Sequence, residues 1–165
     1  MTTWFTSDTH FDHKSIITLC NRPFNNVEEM NQTLILNWNK SVKPEDEIYH
    51  LGDVCWSKDA SPLLSQLNGK KHLIIGNHDS KTIQGASEWT SVHQYKELKI
   101  EGTHVVLFHY PIREWAGFYR GSIHLYGHVH GSIEPYENAY DVGVDVCNFT
   151  PVDLHSLLKE KITPS

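Results

Sequence analysis

The stretch His72-Leu73-Ile74-Ile75-Gly76-Asn77-His78-Asp79 sets four strand-forming residues directly against an amide, an imidazole and a carboxylate. Apolar and β-branched residues favour a strand, and the glycine lets the chain leave it sharply. The same design recurs on both sides. Upstream, Thr3 to Thr6 runs into Ser7-Asp8-Thr9-His10, and Glu47 to Leu51 runs into Gly52-Asp53. Downstream, Val105 to Phe108 delivers His109-Tyr110-Pro111, and Ser122 to Tyr126 delivers Gly127-His128-Val129-His130-Gly131. Alternation would let Asp8 and His10 face the same way if the chain stays extended. Ligands of open α/β sheets bind beyond the carboxyl ends of the strands, so five strand ends can converge on one site.

Helical patterns lie between the early strands. Val27, Met30, Leu34 and Trp38 share one face of a helix expected from Val27 to about Val42, with Asn26 and Glu29 closing its start. Ser61-Pro62 begins a shorter helix that Asn68-Gly69 ends, and Thr150-Pro151 repeats the start signal before Leu154, Leu157 and Leu158. A hairpin is expected around Glu101-Gly102. Strands alternating with helices, then closely spaced strands, place the fold in the α/β class, with mixed sheets and flanking helices in layers.

Composition narrows the function classes. A chain of 165 residues with 39% hydrophobic and 21% charged residues is expected to form one domain, 1–165, around a core of its own. No apolar run reaches the roughly 18 residues of a membrane span. The start, Met1-Thr2-Thr3-Trp4-Phe5, has no signal-peptide character, so the cytoplasm is the expected location. Cys20, Cys55 and Cys147 show no paired spacing and read as reduced, mostly buried thiols. A formal charge of −6 argues against non-specific coating of nucleic acid. Twelve histidines stand beside 20 acidic residues, and imidazole with carboxylate is a vocabulary of metal ligands.

Taken in order, Asp8-x-His10, Gly52-Asp53, Gly76-Asn77-His78-Asp79, His109 and Gly127-His128-x-His130 resemble the five signature blocks of the calcineurin-like metallophosphoesterases. The resemblance implies a layered β-sandwich of mixed sheets flanked by helices, with a binuclear metal site at the carboxyl ends of the strands. It implies that Asp8, His10 and His130 hold one ion, that Asn77, His109 and His128 hold the other, and that Asp53 bridges them. His78, outside the ligand set, would give a hydrogen bond or proton to the phosphate or leaving group, and Asp79 would orient its imidazole. The implied reaction is hydrolysis of a phosphomonoester or phosphodiester by a hydroxide bridging the ions. Mixed nitrogen and oxygen donors suit Mn, Fe, Zn or Co rather than Ca²⁺, with Mn favoured. The second block, Gly52-Asp53-Val54-Cys55-Trp56, lacks the polar or basic residue many relatives carry there, which leaves the usual phosphate contacts open.

The loop after His109 must leave the sheet beside that site. Its Arg113 and Arg120 are therefore candidates to grip phosphate, and Trp115 to stack on a base, which makes a nucleotide-like substrate the leading expectation. The alternative class is a non-catalytic adaptor that keeps the fold as a binding surface. His13, His50, His72, His93, His104, His124 and His155 match no signature position and are expected to be structural, His13 least clearly so.

Overall fold

The computed structural model describes residues 1–160. Strands β1 (Thr3–Thr6), β2 (Glu47–His50), β3 (Lys70–Ile74) and β4 (Trp89–His93) run parallel, each pairing with its neighbour in the chain. Strands β5 (Tyr95–Ile100), β6 (Thr103–Phe108), β7 (Ile123–Tyr126) and β8 (Ala139–Asp141) form a second sheet in that order. There β5 and β6 are an antiparallel hairpin, while β6, β7 and β8 are parallel. Strand β9 (Val152–Asp153) returns to the first sheet antiparallel to β1, giving the order β4-β3-β2-β1-β9.

Alternation along the strands builds the layers. Phe5, Tyr49, Leu51 and Ile74 from the first sheet meet Val105, Leu107, Ile123 and Leu125 from the second, in one buried cluster. Their neighbours Trp4, Ile48 and Leu73 belong to the opposite face, packed with Met30, Leu34 and Trp38. Those three come from the long helix α2 (Val27–Ser41), which follows the short α1 (Lys14–Leu19). Helix α2 starts as expected: the Asn26 side chain accepts from the Glu29 N–H at 2.8 Å, and the Glu29 carboxylate accepts from the Asn25 N–H at 2.7 Å. The α/β sandwich of mixed sheets flanked by helices is thus the observed fold.

Several local expectations shift. The hairpin turns at Glu101-Gly102, both with positive φ (48° and 87°), as a two-residue turn between twisted strands requires. Helix α3 (Ser61–Leu64) starts one residue earlier than its proline suggested, with Ala60 preceding it. Short α4 (Lys81–Gln84) carries a cap from Ser80. The helix expected after Thr150-Pro151 is delayed, because Val152 and Asp153 first pair with Phe5 and Trp4. Asp153 then accepts from the Ser156 N–H at 2.7 Å and opens α5 (Leu154–Glu160). Cys55 is buried, whereas Cys20 and Cys147 are only half-buried, and none of the three forms a disulfide. Among the described residues no helix is long and apolar enough to cross a membrane.

Candidate metal centre

The carboxyl ends of β1, β2 and β3 in one sheet and of β6 and β7 in the other open on the same end of the sandwich. The first two loops are laced together by backbone bonds from the Asp8 N–H to the Gly52 carbonyl (2.9 Å), from His10 to Asp53 (3.1 Å) and from Phe11 to Val54 (3.0 Å). Asp8, His10, Asp53, His128 and His130 all have φ between 48° and 72°. Asp8 and His10 therefore do not converge by extended alternation, as the sequence suggested. Left-handed turns swing them inward. That region is sparsely populated by residues other than glycine, with Asp, Asn and His its most frequent visitors, and its clustering here marks a constrained site. Gly127 is obligatory in another way: a Cβ there would overlap Ser7 Oγ and Asp8 Oδ2.

Two donor groups result. Asp8, His10 and His130 offer ligand atoms within 4.8 Å of one another, and so do Asp53, His109 and His128. Asn77 joins the second group, its Oδ1 lying 2.9 Å from His109 Nε2 and 3.1 Å from His128 Nδ1. Asp53 Oδ2 lies 3.6 Å from His10 Nε2 and 3.7 Å from His109 Nε2, between the two groups. The other oxygen of each buried carboxylate is held from outside: Asp53 Oδ1 by the His78 N–H and Asp8 Oδ2 by the His128 N–H, both at 2.9 Å.

The donor chemistry fits cations. Asp8 Oδ1 and His10 Nε2 are buried without any hydrogen-bond partner, an expensive state for polar atoms. His109 Nδ1 donates to the Leu51 carbonyl at 2.6 Å, which turns Nε2 toward Asn77 Oδ1 and the second donor group. Such convergent lone pairs are what two divalent ions would satisfy. Burial pushes the Asp8 carboxyl up to about 6, and burial with the nearby His130 and Arg22 pushes His10 down to about 2, both shifts disfavouring the charged form.

A supporting shell fixes these donors. Asp79 accepts from the backbone N–H groups of Gly76 (2.7 Å), Asp53 (2.9 Å) and Val54 (2.9 Å). Both its oxygens are thereby committed to joining the second and third loops, which corrects the expectation that Asp79 orients the His78 imidazole. Arg22 and Asp145 were not anticipated at all. Asp145 accepts from His130 Nδ1 at 2.7 Å and from Arg22 Nε and Nη2 at 2.9 Å each, while Arg22 also donates to the carbonyls of Asp8 (2.7 Å) and Thr9 (2.8 Å). Burial works against the charge on His130, but Asp145 and Asp8 outweigh it and raise its pKa. Burial likewise opposes charge on Asp145, but the hydrogen bonds from His130 and Arg22 hold it below the usual carboxylate range.

The remaining predicted residues separate. His78 is exposed at the rim, its ring 5.9 Å from that of His10. Trp115 is only 7% exposed, packed with Val106, Tyr126 and Ala139 behind the second sheet, and its indole N–H donates to the Ser122 carbonyl at 3.3 Å. It is core, and the base-stacking role expected of it is withdrawn. Arg113 and Arg120 are exposed, and their guanidinium groups make no hydrogen bond or ion pair among the described residues. His13 departs from the other unmatched histidines, for its Nδ1 lies 3.2 Å from His10 Nδ1 at the edge of the site. His50, by contrast, is tied to Thr9 at 2.9 Å, and His72 to Glu47 at 2.7 Å.

Known proteins share the sequence family and the fold. A family model described as the calcineurin-like phosphoesterase superfamily domain matches residues 1–148. The protein MJ1445 of Methanocaldococcus jannaschii is 38% identical over 164 residues, covering 93% of this chain and 87% of its own. Among solved structures, a protein of unknown function from Aquifex aeolicus, AQ665, superposes with a TM-score of 0.78 at 25% identity, over 96% of this chain and 98% of its own. The phosphoesterase Yfce of E. coli shares the fold with a TM-score of 0.55 at 16% identity, over 87% and 78% of the two chains.

Proposed function

The chain belongs to the calcineurin-like phosphoesterase superfamily, and from that membership we propose that it is a hydrolase of phosphomonoesters or phosphodiesters dependent on two divalent transition-metal ions. One observation carries the reading: two groups of nitrogen and oxygen donors, with Asp8, His10, Asp53 and His109 buried among them, share Asp53 between them and contain two polar atoms with no protein partner. Asp8, His10 and His130 would hold one ion, Asn77, His109 and His128 the other, and Asp53 both. When bound, the ions would polarise the phosphate oxygens and make a water nucleophilic at neutral pH.

The protein supplies position and protons. Asp79 and the laced loops keep Asp53 fixed, and Asp145 keeps the His130 ring turned so that Nε2 faces Asp8. His78 hydrogen-bonds the phosphate or protonates the departing oxygen; its backbone N–H anchors it to Asp53 while its ring stays accessible. Arg113 and Arg120 are the candidate cations for phosphate beyond the metal ligands. The adaptor reading has less behind it, since all seven ligand positions carry intact donors.

The test is metal depletion. Chelation followed by dialysis is expected to abolish hydrolysis of p-nitrophenyl phosphate or bis-p-nitrophenyl phosphate. Mn²⁺ is expected to restore it better than Ca²⁺, which prefers oxygen donors. Turnover that persists once elemental analysis finds no metal would overturn the proposal.

A further inference from the structure

Trp56 follows Asp53 by three residues on the loop leaving β2, and it is held in a way unlike the other tryptophans. The His13 imidazole lies flat against its indole, centroids 3.9 Å apart and planes 5° apart. His78 tilts against it at 4.9 Å, and the Trp56 backbone N–H donates to the Phe11 carbonyl at 2.8 Å. The side chain is nevertheless 49% exposed, and its indole N–H has no partner among the described residues. His13 covers one face of the indole, and the half-exposed side chain borders the neighbouring cleft. A scattered surface tryptophan would be unremarkable, but one braced by two site histidines is a rigid platform at the mouth of the centre.

That platform lines a cleft of about 360 Å³. Cys55 and Ile83 give it an apolar floor, and Lys58, Ser80 and Thr82 supply a cation and two hydroxyls, with His78 at the side toward the metal ligands. We propose that this cleft is the subsite for the organic group of the ester, and that it takes a nucleobase stacked on Trp56. The half-exposed indole lining the cleft selects a planar ring, and stacking accepts any base. The ammonium and hydroxyl donors select a ring with acceptors at its edge rather than a plain hydrocarbon. The side of the cleft follows from the phosphoesterase reading, on which this inference rests: an ester whose leaving oxygen meets His78 carries its organic group past that histidine, onto Trp56.

The test measures binding separately from turnover. With the whole chain in chelator, where no hydrolysis is expected, calorimetry compares adenosine 5′-monophosphate with ribose 5-phosphate, which has the same phosphate and sugar without the base. The nucleotide is expected to bind about tenfold tighter or more, the scale of one base–aromatic stack. Trp56→Ala is expected to erase that preference and Trp56→Phe to keep most of it. If Trp56→Ala melts early, Trp56→Leu keeps the apolar bulk and must lose the preference equally. Equal wild-type affinity for the two ligands, or a preference that survives both variants, overturns the subsite. Ester hydrolysis by the metal-loaded chain is scored apart: turnover without a Trp56-dependent preference removes the subsite alone, and a Trp56-dependent preference without turnover removes the hydrolase alone.

Discussion

Trp115 comes six residues after His109 and Trp56 three after Asp53, each on a loop leaving a strand end that faces the centre. From the sequence, Trp115 looks the better candidate for substrate, because two arginines and several aromatics accompany it. The structure buries the one and not the other. Trp115 spends its N–H on Ser122 and its faces on core residues, while Trp56 is half exposed with its N–H unpartnered among the described residues. The same contrast divides the histidines. His124 is buried beneath the Trp115 loop with contacts of 3.2 Å to the carbonyls of Val106 and Tyr110, whereas His10 is equally hidden yet leaves Nε2 without a partner. Satisfied polar groups hold a fold together; polar groups left unsatisfied in an ordered setting mark where something else binds.

The largest expected effect comes from the unsatisfied region. Asp53→Asn should lower metal content at both groups together and abolish turnover, since its Oδ2 lies between the two groups. His78→Ala should keep its metals and lose roughly 10²–10⁴ in rate, the usual contribution of a positioned acid or base. Elemental analysis with kinetics on the two variants separates these roles. Metal loss in His78→Ala, or full activity in Asp53→Asn, would mean that the site does not divide this way.

The satisfied region should answer in stability instead. Trp115→Ala removes a large side chain packed against Val106, Phe118, His124 and Tyr136, which should cost roughly 3–5 kcal/mol. Urea denaturation measures that cost. Below the melting transition, the relative affinity for nucleotide and sugar phosphate should not change. A changed preference in a fully folded Trp115→Ala protein would return that loop to the substrate site and blur the contrast between the two tryptophans.

What the sequence could reveal follows the same division. The five strand ends were legible because each joins a run of β-formers to a turn rich in Asp, His, Asn or Gly, and helix α2 because fifteen residues sustain its apolar stripe. Helix α1 was not, having six residues and no side-chain cap, nor was β8, with three. At the site, the predicted metal ligands lie inside short motifs, but the turns that aim five of them are backbone conformations no spacing reports. Arg22 and Asp145 escaped because they sit 123 residues apart and each, read locally, is an ordinary surface charge. The one signal on offer was Asp145 itself, an acid set between two valines just after Gly143.

That pair yields the smallest effect, and the one that tests the contrast at its boundary, because Asp145 is a fully satisfied group whose partner His130 faces the unsatisfied Asp8 Oδ1. Asp145 accepts from His130 Nδ1, fixing the tautomer whose Nε2 faces Asp8 Oδ1 at 3.8 Å, and its second role is to neutralise the buried Arg22. Asp145→Asn keeps the shape, but its amide has one acceptor oxygen to share between an imidazole and a guanidinium, and its NH₂ faces a donor. Removing such an outer partner of a ligating histidine typically weakens metal binding about 10–100-fold. Leaving Arg22 short of its counter-charge should also lower the melting temperature, as breaking a buried pair does. The two consequences separate by experiment: Arg22→Lys keeps Asp145 and its bond to His130 but loses the paired guanidinium bonds, so it should lose stability with metal affinity largely kept, whereas Asp145→Asn should bind Mn²⁺ more weakly at a temperature where both variants are folded. If metal titration finds Asp145→Asn as tight as wild type, then Asp145 serves packing alone, and His130 is oriented by its own left-handed turn.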